Sequence, residues 1–192
     1  MGRVGISIMK TIDELWYGNV SPFEQCTRGD KRLKELLSLM ARNRDELGET
    51  LTDKQKETLE KFEDCMNEMH SITECDAFSY GFRLGVHLMA ETFLMRRTAM
   101  KTIDELWYGN VSPFEQCTLG DKRLKELLKL VARNREELDG TLTDKQKETL
   151  EKFEECMNEM HSITERDAFS YGFRLGLRLM AEAFLLPIGE DE

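Results

Sequence analysis

Ala77-Phe78-Ser79-Tyr80-Gly81-Phe82-Arg83-Leu84-Gly85-Val86-His87-Leu88-Met89-Ala90-Glu91 is apolar on most sides of a helix. Phe78, Phe82, Met89 and Phe93 line one face, and Tyr80, Leu84 and Leu88 another. A helix of that kind belongs at the centre of a structure. Gly81 and Gly85 are four residues apart and share a face. Two glycines cost about 2 kcal/mol of helix propensity relative to alanine. Close approach of a second backbone is the compensation this spacing suggests. The second helix is in the same chain. At a constant offset of 91 the stretch returns as Ala168 to Glu182, with Gly172 and Gly176 in the glycine places. These four glycines are the expected packing points between two halves.

The recurrence extends well beyond that helix. Met9 to Met95 aligns without a gap on Met100 to Leu186, and 75 of the 87 positions are identical. The period is that of a small domain, far longer than a solenoid repeat. The expected organisation is therefore a helical module at 9–95, a linker at 96–99 and a second module at 100–186. Met100 reads as a former start, from fusion of two adjacent copies of a gene or deliberate construction of a single-chain dimer. A unit of about 90 residues buries only a thin core, so pairing of the copies should stabilise both.

Within each module, Asn19-Val20-Ser21-Pro22 is turn chemistry. Thr11 to Gly18 suits a short capped helix before it. A second helix is expected from Asp30 to Leu47, with Leu33, Leu36, Leu37, Met40 and Leu47 as its apolar stripe and Gly48 as its stop. In the second copy Asp139 holds that place and Gly140 follows it. Thr52 and Gln55 fit a capping box that opens a third helix. Leu59, Phe62, Met66, Met69 and Thr73 then step by threes and fours, a seam for a partner helix. The short connection makes these two helices an antiparallel hairpin. Around Ser71 to Asp76 a break or kink is favoured over one long helix, because the seam changes face there. The fold class is all-α: two tandem helical-hairpin modules packed as a pseudo-twofold bundle, with the glycine-bearing helices central.

The segment Tyr80-Gly81-Phe82-Arg83-Leu84-Gly85, followed by Leu88-Met89-Ala90-Glu91, is similar to the closing motif of DUF6809. That family comprises small helical proteins of gut Firmicutes and mobile elements. The opening Leu15-Trp16-Tyr17-Gly18-Asn19, with Pro22 and Glu24, resembles the same family. The resemblance covers most of each copy and implies an all-helical module. It carries no activity, and its usual form is one module per chain.

Charge narrows the partners. There are 27 basic and 37 acidic residues, for a net charge of −10, and both copies are acidic. No basic domain waits for nucleic acid, so direct nucleic-acid binding is not expected. No apolar run approaches the length of a membrane helix. With five cysteines, an odd number, and no signal-like start, a cytoplasmic protein with reduced thiols is the expectation.

Candidate sites are few. Glu60, Asp64 and Glu68 form one row along a helix, repeated as Glu151, Glu155 and Glu159. Such a row reads first as a solvated face and second as an imitation of nucleic-acid phosphates. Trp16, Tyr17 and Phe23, with Trp107, Tyr108 and Phe114, could anchor a protein partner or close the bundle's own core. Cys65 and His70, with Cys156 and His161, lack zinc-finger spacing, and Cys65, beside the apolar seam, reads as a buried small hydrophobe. Nothing resembles a nucleophile–base pair or a phosphate loop. The expectation is a non-enzymatic interaction protein, a scaffold or regulator without cofactor or metal. The alternative is an acidic inhibitor of a nucleic-acid-handling machine, such as an anti-CRISPR-like protein.

Overall fold

The computed structural model describes residues 30–94, 102 and 121–185. They form four principal helices and no strand. These are α1 (Lys31–Thr50), α2 (Asp53–Leu94), α3 (Lys122–Thr141) and α4 (Asp144–Leu185). The fold is all-α, with each copy supplying one short and one long helix. At 42 residues each, the long helices reach about 63 Å.

Local chemistry fixes the ends. The Asp30 carboxylate accepts from the backbone N–H groups of Arg32 (2.7 Å) and Leu33 (3.3 Å), capping α1. Asp121 does the same for α3. The expected stop at Gly48 is not used. Helix α1 runs on to Thr50, and α3 reaches Thr141 with Gly140 inside it. The chain leaves the helix at Leu51, whose backbone is extended while its side chain is buried in the core. Burial of this leucine thus sets the turn where the glycine was expected to. Thr52 and Gln55 close their capping box immediately after, with Thr52 N–H donating to Gln55 Oε1 at 2.9 Å and Gln55 N–H to Thr52 Oγ1 at 3.4 Å.

The long helices are parallel. Gly81 faces Phe169 and Phe173 while Gly85 faces Phe173 and Leu177, so both strands of the pair advance together. Equivalent residues meet across a pseudo-twofold axis that runs along the pair. The helix–turn–helix of each copy is antiparallel, yet its short arm lies chiefly on the other copy. Helix α1 packs on α4, and α3 on α2. Gln55 Nε2 donates to the Thr141 carbonyl at 2.8 Å, and Gln146 Nε2 to the Thr50 carbonyl at 2.9 Å, so each capping box also ties down the end of the other copy's short helix. The main core gathers Leu47, Leu51, Leu59, Phe62 and Met66 with Leu138, Leu142, Leu150, Phe153 and Met157.

The expected break at Ser71 to Asp76 is absent, and α2 is continuous through it. Within that continuous helix the Thr73 hydroxyl donates to the His70 carbonyl at 3.1 Å. The change of face has another cause. Among the described residues, α1 and α3 flank the long pair as far as the level of Thr73, where Leu124 and Leu128 lie beside it. The buried face steps through Leu59, Phe62, Met66, His70, Thr73, Ala77, Gly81 and Leu84. That is an 11-residue rhythm, which keeps paired helices nearly straight or slightly right-handed. His70, not the expected Met69, occupies the seam. Leu37 likewise falls off its expected stripe and is 45 % exposed, while Asn43 is buried in its stead.

Candidate functional site

Parallel, in-register pairing has a direct chemical consequence: each residue on the seam meets its own duplicate. His70 and His161 therefore lie face to face, with ring centroids 3.7 Å apart and planes 13° from parallel. His70 is buried, and among the described residues its Nε2 has no hydrogen-bond partner; nor has Nδ1 of His161. Desolvation by burial pushes His70 down from 6.5 to about 4, and the neighbouring His161 adds to it.

Two carboxylates stand around the stack. Glu74 Oε1 is 3.8 Å from His161 Nδ1, and Glu165 Oε2 is 3.7 Å from His161 Nε2. These glutamates are duplicates, but their surroundings differ. Burial pushes Glu74 up, but the adjacent His161 and a hydrogen bond from the Thr164 hydroxyl outweigh it and hold the carboxyl below its ordinary value. Burial pushes Glu165 up, with His161 opposing. Thr73 Oγ1 lies 2.9 Å from His161 Nε2. A groove of about 320 Å³ opens beside this cluster, lined by Met69, Thr73, Leu124, Lys125, Leu128, His161 and Glu165. Leu128 on its rim is 51 % exposed. The arrangement can hold or release protons inside a helix seam. Among the described residues, no group of three or more His, Cys, Asp or Glu could hold a metal ion.

The glycines lie where the long helices touch backbone to backbone. A methyl on Gly81 would fall on the Phe169 carbonyl and 3.0 Å from the Phe173 nitrogen. A methyl on Gly85 would fall on the Phe173 carbonyl and 3.1 Å from the Leu177 nitrogen. Gly172 and Gly176 meet Phe78, Phe82 and Val86 in the same way.

The acidic rows are not uniform. Glu60, Asp64, Glu151 and Glu155 are exposed. Glu68 is taken by Arg123 and Glu159 by Arg32, each through two side-chain bonds between copies. Those hydrogen bonds hold both carboxyls below the ordinary range. Trp16, Tyr17, Phe23, Trp107, Tyr108 and Phe114 lie outside the described residues. Cys65 and Cys156 are half-buried, 4.0 Å from the side-chain nitrogens of the buried Asn134 and Asn43.

From sequence, His70 and His161 were weighed only as metal ligands beside Cys65 and Cys156, and they were not brought together. The available signal was their equivalence under the repeat, combined with a parallel axis. The direction of pairing was the missing step.

A family described as being of unknown function, DUF6809, matches the chain twice, over residues 9–92 and 100–183. No curated protein matches it. No solved structure matches it either. Among the described residues, no helix is long and apolar enough to cross a membrane.

Proposed function

The chain belongs to the DUF6809 family, with two members of the family in tandem in one polypeptide, and on that premise we propose that it is a non-enzymatic interaction protein of the cytoplasm. It acts as a helical scaffold or regulator for another protein. The observation that carries this reading is the paired presentation of apolar side chains on a braced frame. Leu37 and Leu128, 45 % and 51 % exposed, are duplicates on α1 and α3. Each sits on a helix held by contacts to the opposite copy. A twofold frame of this kind offers one docking chemistry twice, which raises avidity for a dimeric or repetitive partner.

The inhibitor reading rests on the acidic rows. Glu68 and Glu159 are already neutralised by arginines of the same chain. That leaves Glu60 and Asp64, with Glu151 and Glu155, to imitate phosphates, which favours the scaffold.

Capture from host lysate with three paired variants separates the readings. L37E/L128E should abolish the capture of a specific protein if the leucine faces dock it. W16A/W107A should abolish it if the aromatic segment is the anchor. Reversal of Glu60, Asp64, Glu151 and Glu155 to lysine should abolish capture of a nucleic-acid enzyme under the inhibitor reading. Turnover of a substrate by the purified chain would overturn the non-enzymatic proposal.

A further inference from the structure

We propose that His70 and His161 form a proton-operated latch between the two copies, closed while the stack carries at most one proton. The geometry carries the argument. The rings are in face-to-face contact at 3.7 Å, inside the seam. Glu74 and Glu165 lie 3.8 and 3.7 Å from the two ring nitrogens of His161 and are the carboxylates nearest the stack. Protonation of both rings sets two like charges ring against ring where burial limits screening by water.

The surrounding charges do not remove that conflict. From α2 the facing group is Glu74, and from α4 it is Glu165. From α3, Lys125 lines the same groove as His161 and adds positive charge. At this level α1 contributes Arg32, which is committed to Glu159. Glu165, pushed up by burial, takes a proton at higher pH than an ordinary carboxyl and so withdraws its negative charge as acidification proceeds. Acid therefore adds charge to the stack while weakening its counter-charge.

The direction in pH follows from His70. In the unfolded chain it gains a proton as pH falls through about 6.5, and in the folded chain not until about 4. The stability contributed by the neutral ring is whole above that window, declines through it and is lost below it. Glu165 offsets part of the decline, because its folded carboxyl is the more easily protonated form. Between about pH 8 and pH 5 the His70 linkage lowers the folding equilibrium constant about thirty-fold.

Denaturant and thermal unfolding of the full chain across that range read the effect. The expected result is a fall in Tm of about 4–8 °C for the histidine component. In H70F/H161F, which keeps two stacked rings without titrating nitrogens, this component should vanish. H70Q/H161Q serves the same purpose if the phenyl rings do not fit. A wild-type pH slope retained in either folded variant overturns the latch. The wild-type chain supplies an independent test by NMR of its histidine ring carbons. His70 should titrate well below the ordinary imidazole range, and a midpoint near 6.5 overturns the proposal whatever the variants do. Amide exchange over residues 77–94, corrected for its intrinsic pH dependence, should quicken by the same thirty-fold factor. Protection there that is independent of pH also overturns it.

Discussion

Arg123 of the second copy holds Glu68 of the first through two N–H···O bonds of 2.6 Å each, and Arg32 of the first holds Glu159 of the second at 2.7 Å. Each pair joins a short helix to the opposite long helix, so it reports directly on the exchange of arms between copies. The side chains are about half exposed, and water and salt screen them. R32A/R123A should therefore lower Tm by only a few °C. The carboxyls are depressed, so this contribution is present above the ordinary carboxylate range and lost as pH falls through it. Added salt should erase the difference between variant and wild type.

The exchange of arms decides the behaviour of a single module. A chain limited to residues 9–95 should form a homodimer that reproduces the tandem structure. Helix α1 packs on α4, not chiefly on its own α2, so a lone module would expose the leucines that α1 buries. Sedimentation should show a dimer, and Tm should rise with protein concentration. A stably folded monomer at high micromolar concentration would contradict the arrangement.

Much of this was legible beforehand, and the limits are physical. Repetition and apolar periodicity identify the all-α class and the two tandem copies, but the expected break at Ser71 to Asp76 divided what is one long helix. The glycines mark close approach because their propensity cost requires a reason. Helix direction was not legible, because nothing in Gly81 and Gly85 distinguishes parallel from antiparallel contact. Without direction, His70 could not be matched to His161. Met69 was misplaced because a 3–4 alternation was assumed where the buried face of α2 follows 11 residues. Leu37 was misplaced because its apolar character was read as burial, whereas the buried face of α1 runs through Leu33, Leu36, the polar Asn43 and Leu47. Gly48 misled because a glycine inside a helix is tolerated when the neighbouring Leu51 has a deep site to fill.

The double role of Gln55 and Gln146 gives a sharper stability test. Each side chain accepts from its own Thr N–H and donates to the last turn of the opposite short helix. Q55A/Q146A removes half of each capping box together with one bond between copies. The loss should be about 1 kcal/mol per site. Gln→Glu keeps the cap acceptor but removes the donor to Thr141 or Thr50. It should therefore recover only the capping part, and denaturant unfolding of the three chains would separate the two contributions.

The backbone contact at the glycines should be the least forgiving feature of the chain. Gly85 and Gly176 lie against the Phe173 and Phe82 carbonyls, and even a methyl there overlaps the facing backbone. Side-chain rotation cannot relieve the overlap, because the obstructing atoms belong to the opposite helix itself. The helices must separate instead, which removes contact from the neighbouring Phe78, Phe82, Phe169 and Phe173. G85A/G176A should destabilise the chain by about 2–3 kcal/mol even though alanine is the better helix former. G85L/G176L should cost more still, at or beyond the upper end of overpacking penalties. Urea unfolding would measure both, and circular dichroism would show whether the separate helices persist. An unchanged midpoint for the leucine variant would mean that the long helices do not meet at these residues, and the parallel in-register pairing inferred from them would fail with it.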